Sequence, residues 1–337
     1  MIVGQLLWMV GTLAQAPDLT NEPPEGLAQL ERRYAEFYQK NQFNLDAPVW
    51  KPNKLQKVSE QVRAGKMNPY VYQHLTQTTA AAYYHAVADA DTINLLKRTH
   101  EDGSFGVQKF RVDKINVSRD LLDSISEMLF LHKAFLYRPG GLNSLKVLDV
   151  GGGYGRLAKR WHDCWPDSTY HLTDGLAVST LTARKYLGAY GMAEAVVPLH
   201  KLDAFLASNH VDLLINTHSF PEMNEKDVRF WLSRAANHKI EYLFIAPNGF
   251  LTPMPLLRTN SHVSITDMLW GLGYRLVLWE NFYVSSLGLC WAGGREDGEP
   301  KRLTALAHSK CERPFFTSDE MDTFAVPFYL FKRLSSV

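Results

Sequence analysis

The sequence is sparing with cysteine. Only Cys164, Cys290 and Cys311 occur in 337 residues, an odd number far apart in the chain and without metal-ligand spacing. A disulfide scaffold is therefore excluded, and free thiols in a reducing, cytoplasmic setting are expected. Charge of one sign is also lacking. The 36 basic side chains balance 35 acidic ones, for a net charge of +1. Nothing in that balance favours a nucleic-acid backbone as partner. A small, roughly neutral substrate suits it better. Internal repeats and low-complexity tracts are absent. So is an apolar run long enough for a comfortable membrane span. The apolar segment Met1–Ala16 ends in Ala14-Gln-Ala16, like a signal-peptide cleavage site, but no Lys or Arg precedes it. It reads instead as a docking helix or a homo-oligomer contact.

What is present is an ordinary globular composition, 46% hydrophobic and 21% charged, in a chain long enough for one large domain or two modest ones. Asp18–Gly26 reads as a polar linker and Leu27–Lys40 as a helix. Asn41–Asn68 reads as irregular and Tyr70–His100 as helical. Ser118 is a plausible N-cap for a helix carrying Leu121, Leu122, Ile125, Met128 and Leu129, stopped by Pro139-Gly-Gly141. Strands then alternate with helices. Strands are expected at 145–150, 169–173, 195–199, 211–216, 241–246 and 274–279, with helices at 156–165, 178–190, 225–236 and 264–272. Such alternation implies an α/β fold with a parallel sheet covered on both faces. A seventh strand at 326–334 has no crossover helix immediately before it and is expected antiparallel. An insertion at about 285–322 precedes it, with a loop at 293–298 and a helix at 301–310. These readings divide the chain into a mainly helical region 1–115, a cap, acceptor wall or oligomer contact, and a domain 116–337.

The segment Val147-Leu-Asp-Val-Gly-Gly-Gly-Tyr-Gly155 carries the chemistry. A strand, a glycine turn and a helix build a nucleotide site, because glycines admit close backbone approach and the helix start offers free N–H groups. A dinucleotide turn would read G-x-G-x-x-G/A. Here the third glycine comes one residue early, at Gly155, and Arg156 stands where Gly or Ala is wanted. Asp149, two residues before the turn, would repel a diphosphate. It suits S-adenosylmethionine (SAM), which has no phosphate and carries a sulfonium and an ammonium. Asp174, 23 residues after Gly151, is placed for ribose hydroxyls. Asp203, just beyond the third expected strand, is placed for the adenine amino group. Each of these aspartates has a plain alternative as a helix cap or turn residue.

The stretch VLDVGGGYGRLA resembles motif I of class I SAM-dependent methyltransferases. With Asn216-Thr-His-Ser-Phe-Pro-Glu-Met223 after the fourth strand, it resembles the family described as sugar O-methyltransferases, in which a segment of the type Asn-x-x-Phe-x-Glu stands at this place. Asn216, Phe220 and Glu222 fill a comparable pattern. The resemblance runs from about Ser118 to Gly249 and returns at the last strand. It implies a Rossmann-like doubly wound sheet with a reversed final strand, and methyl transfer to a hydroxyl of a sugar or glycosylated small molecule. Gly151, Gly152, Gly153, Tyr154, Gly155 and Asn216 join Asp149, Asp174 and Asp203 as expected cofactor residues. His218, as general base because imidazole titrates near neutrality, and Glu222 are the expected catalytic pair. No spacing supports a metal. An NAD-dependent oxidoreductase and a non-catalytic methyltransferase-like module are the rival readings.

Overall fold

The computed structural model describes residues 24–41, 43, 75–247, 257–285, 288–295 and 324–334. The readings of Met1–Ala16 and of the helix at 301–310 lie outside the described residues, as does most of the irregular stretch 41–68. The first helix, α1 (Pro24–Asn41), begins inside the expected linker, with proline at the start, where its missing N–H costs nothing. Leu27, Leu30, Tyr34 and Phe37 form its buried face.

The helix read over 70–100 is divided. α2 (Gln77–Ala90), capped by Thr76, is separate from α3 (Leu95–Arg98). The break has a local cause: the Asp91 carboxylate accepts from the N–H groups of Leu95 and Leu96, both at 2.8 Å, and Asn94 is left-handed at φ 59°. A small hairpin follows, β1 (Phe110–Val112) and β2 (Ile115–Val117). Its two turn residues, Asp113 and Lys114, both have positive φ, the geometry that matches strand twist in a two-residue turn.

The alternating region contains α4 (Arg119–Ala134), β3 (Lys146–Val150), α5 (Arg156–Cys164), β4 (Thr169–Thr173), α6 (Ala177–Gly188), α7 (Leu202–Ser208) and β5 (Leu213–Thr217). It continues with α8 (Glu225–Asn237), β6 (Tyr242–Ala246), α9 (Ile265–Gly271), β7 (Tyr274–Ser285), β8 (Gly288–Arg295) and β9 (Phe324–Arg333). Ser118 caps α4 through a 2.9 Å bond from Leu121 N–H, and Asn224 and Ser264 cap α8 and α9 in the same way.

The main sheet has the order β4-β3-β5-β6-β9-β7-β8. β4, β3, β5 and β6 pair in parallel, and β9 lies antiparallel between β6 and β7. Its strands are not the expected set. Residues 195–199 form no strand. They lie between two 3-10 turns, Ala193–Ala195 and Leu199–Lys201, with one bridge from Val196 to Leu172. Pro198 has no N–H to continue a ladder there. Conversely, β7 runs on to Ser285 and pairs with β8, which lies inside the expected insertion and takes Gly293–Arg295 out of the expected loop.

Side chains alternate along β3. Val147 joins the core beneath α2, α4, α5 and the end of α6, whereas Leu148 and Val150 join the core beneath α1, α7, α8 and α9. Asp149 therefore enters the first face, an otherwise apolar layer. The chain leaves β3 toward β4 on one side, whereas from the neighbouring β5 it leaves toward β6 on the other. The crevice at its carboxyl end is the place where open α/β sheets bind ligands.

Candidate active site

The glycine turn sits at the carboxyl end of β3. Gly151, Gly153 and Gly155 have φ of 77°, 57° and 92°, a region that glycine adopts without a steric penalty. Thr173 at the end of β4 accepts from both Gly151 N–H at 2.9 Å and Gly152 N–H at 3.2 Å. A Cβ on Gly151 would stand 2.2 Å from Ser219 Oγ, and one on Gly152 2.8 Å from Leu172 Cδ1. These close approaches clamp the turn between β4 and the segment after β5. Tyr154 does not share the glycines' place. Its ring is buried against Phe105 (4.6 Å) and Tyr186 (5.1 Å), and its hydroxyl donates to Asp120 Oδ2 at 3.0 Å. It anchors the turn from below.

Asp149 and Asp174 flank the turn. Asp149 is 3% exposed and accepts from Tyr170 Oη at 2.9 Å. Burial pushes its carboxyl up to about 6, against the opposing pull of Tyr170 and Arg156. Asp174 accepts from Gly153 N–H at 3.1 Å and Leu176 N–H at 2.8 Å, so it ties the glycine turn to the start of α6. Burial carries it to about 7 despite these bonds. The Ser179 side chain bonds it as well, so three of the roughly four acceptor sites of a carboxylate are used.

The segment after β5 closes the other side. Asn216 is fully buried: its amide nitrogen donates to the Val150 carbonyl at 2.8 Å and to Ser219 Oγ at 2.5 Å, and its oxygen accepts from Phe220 N–H at 2.9 Å. It thus fixes the ends of β3 and β5 to each other, and Ser219, not singled out from the sequence, belongs to the same knot. His218 follows in left-handed backbone at φ 67°, a strained region for a residue with a Cβ, and its N–H donates to Ala246 O at 2.7 Å. Its expected titration near neutrality is overturned. Burial pushes the imidazole down to about 3, assisted by the charges of Arg156 and Arg119. Glu222 ends the 3-10 turn Phe220–Glu222, and its N–H donates to Ser219 O at 3.1 Å.

Asp203 is not brought to this group. Because 195–199 is not a strand, Asp203 lies in the first turn of α7, and its half-exposed carboxylate is gripped by Arg234 at 2.8 and 3.2 Å. Arg234 also donates to Asn41 at the end of α1.

A charged layer beneath the turn escaped the sequence reading. Asp120 is fully buried and pairs with Arg156 Nε at 2.7 Å and Arg160 Nη1 at 3.0 Å, and Arg160 reaches Glu101 at 3.2 Å. Arg119 lies 3.3 Å from Asp123, and Arg156 lies 3.7 Å from Glu127. The signal was legible: Asp120, Asp123 and Glu127 are spaced three and four apart, which places acids on the apolar stripe of α4. Among the described residues, no cluster of His, Cys, Asp and Glu is placed to hold a metal, and no helix is long and apolar enough to cross a membrane.

No family model matches the chain, and no curated protein matches it by sequence. Solved structures do match at low identity. A proposed RNA methyltransferase from Pyrococcus horikoshii aligns at 13% identity and TM-score 0.38, over 64% of this chain and 85% of that one. An O-methyltransferase family protein from Burkholderia thailandensis aligns at 14% and 0.36, over 65% and 61%. Mitomycin 7-O-methyltransferase aligns at 13% and 0.34, over 94% and 74%. Likeness at these scores assigns no activity. The case for one rests on the residues of the crevice.

Proposed function

We propose that the chain is a SAM-dependent O-methyltransferase acting on a hydroxyl of a sugar or glycosylated small molecule. One observation carries the reading: the glycine turn at the switch point of the sheet is flanked by two buried carboxyls, Asp149 and Asp174. A diphosphate needs positive potential at such a turn. Here burial has already raised Asp149 beneath the turn, so an anion beside it would be repelled, whereas a cationic ligand relieves it. The residues therefore fit SAM. Asp149 faces the cationic amino-acid end. Asp174, with acceptor capacity left beyond its bonds to Gly153, Leu176 and Ser179, takes the ribose. The positive-φ glycines bring the backbone against the ligand. Region 1–115 supplies acceptor walls in this reading, and 116–337 the cofactor domain.

SAM supplies a methyl group on a sulfonium leaving group, and the protein's part is alignment and exclusion of water. Asn216 and Ser219 hold the segment after β5 rigidly against the glycine turn. His218 stands beside them. Held down at about 3, its imidazole stays neutral at any physiological pH. It serves as a hydrogen-bond acceptor that orients the attacking hydroxyl, a weaker role than a base poised at neutrality. Glu222 binds a neighbouring acceptor hydroxyl.

Calorimetry with SAM, S-adenosylhomocysteine and NAD tests the reading. Binding of the first two and not the third is expected, with at least tenfold weaker binding in Asp149→Asn or Asp174→Asn. Binding of NAD alone defeats the proposal. A labelled-methyl screen against glycosides then addresses the acceptor, and SAM binding without transfer to any hydroxyl compound would favour the non-catalytic reading.

A further inference from the structure

Glu127, in the middle of α4, is unexplained by the site as described. It is fully buried, and among the described residues neither carboxyl oxygen has a hydrogen-bond partner. Buried polar groups are nearly always satisfied, so one left bare calls for a ligand, water or ion. Its basic neighbour Arg156 stands 3.7 Å away and is already committed to Asp120 at 2.7 Å. The layer as a whole is short of cations. Arg119, Arg156 and Arg160 face five carboxyl groups, those of Glu101, Asp120, Asp123, Glu127 and Asp149. Glu101, Asp120 and Asp123 have arginine partners at 3.3 Å or less. Among the described residues, Asp149 is bonded by a tyrosine hydroxyl alone and Glu127 has no hydrogen bond.

We infer that Glu127 and Asp149 together form a subsite for a primary ammonium group, the amino end of the cofactor's methionine portion. The inference rests on the SAM reading above and adds to it a residue from a different element. Asp149 reaches the floor of the glycine turn, where its Oδ2 lies 3.2 Å from the Cβ position of Gly152. Glu127 approaches from α4 on the same face of the sheet. The groups that act on Glu127 are Arg156, Asp123, Asp149 and Asp120, and burial outweighs them all, holding the carboxyl up at about 8. At neutral pH the empty subsite thus keeps a proton on Glu127. When the ammonium arrives, the carboxylic acid gives that proton to solvent and the carboxylate accepts the N–H donors. No covalent bond changes.

The test is calorimetry on the full chain at pH 7 with S-adenosylhomocysteine and 5′-methylthioadenosine, which share the nucleoside but differ in the amino-acid end. Glu127→Gln, nearly the same shape, should weaken S-adenosylhomocysteine at least tenfold and leave 5′-methylthioadenosine within twofold. Unligated, this variant should melt no lower than the parent, because a bare buried acid has been removed. In the parent protein, titrations in buffers of different ionisation enthalpy should show clearly more proton release with S-adenosylhomocysteine than with 5′-methylthioadenosine, whose ribose reaches only Asp174. Equal losses for the two ligands, no loss at all, or equal proton release with the two ligands in the parent overturns the subsite. If the parent binds neither SAM nor S-adenosylhomocysteine, the cofactor reading itself fails.

Discussion

Replacing Gly151 by alanine tests how the glycine turn is held. Two costs are expected. At φ 77° a residue with a Cβ enters left-handed backbone, which costs roughly 1–2 kcal/mol. The new methyl also meets Ser219, at 2.2 Å from Oγ and 2.7 Å from Cβ. Ser219 must move, and its 2.5 Å hydrogen bond from Asn216 is lost, for about another 0.5–1.5 kcal/mol. The sum, about 1.5–3.5 kcal/mol, corresponds to a fall in Tm of about 3–7 °C at the low end of the per-kilocalorie shift for large domains. Gly191→Ala is the matched control. Its φ is 74°, yet nothing lies within 4 Å of its Cβ position, so only the backbone cost applies. Thermal unfolding of both variants should show Gly151→Ala losing clearly more, and Gly151→Ala combined with Ser219→Gly should regain part of the difference. Equal losses at 151 and 191 would refute the claim that the turn is clamped against the segment after β5.

Three further outcomes are expected. Asp203→Asn should leave SAM affinity within about twofold, since its carboxylate is spent on Arg234, and its half-exposed pair should contribute no more than about 1 kcal/mol to stability; a tenfold loss of affinity would restore the adenine role read from the sequence. Asn216→Ala should lower stability by about 2–4 kcal/mol in urea unfolding, because it strips partners from Phe220 N–H and the Val150 carbonyl inside the fold; a change below 1 kcal/mol would contradict the knot. Above about pH 6.5, where the opposing gain from the lowered His218 is complete, the unligated protein should lose stability as pH rises to about 8.5. Asp149, Asp174 and Glu127 are raised in the folded state to about 6, 7 and 8, so their contribution is complete below their ordinary values near 4 and fades as pH climbs through the raised ones. Glu127→Gln should flatten the upper part of that decline; a melting temperature that rises across the range tells against the burial argument.

Local chemistry alone decided much of this protein. Period-2 and period-3.6 patterns placed β3 through β6 and helices α4, α5, α6, α8 and α9, and Ser118 announced the start of α4, because apolar spacing and capping act within a few residues. The shape of the glycine turn was legible for the same reason: positive φ at Gly151, Gly153 and Gly155 follows from the residue type in place. Tertiary structure decided the rest. Whether 195–199 pairs as a strand depended on an edge that Pro198 could not extend. Asp203 was taken by Arg234 from another helix, and His218 lost its neutral titration to burial beside Arg156 and Arg119. Glu127 gained its meaning only when α4 packed over β3. Burial and pairing between distant segments set a carboxyl's proton affinity and its partners, and those are properties of the assembled layers, which spacing along the chain does not encode.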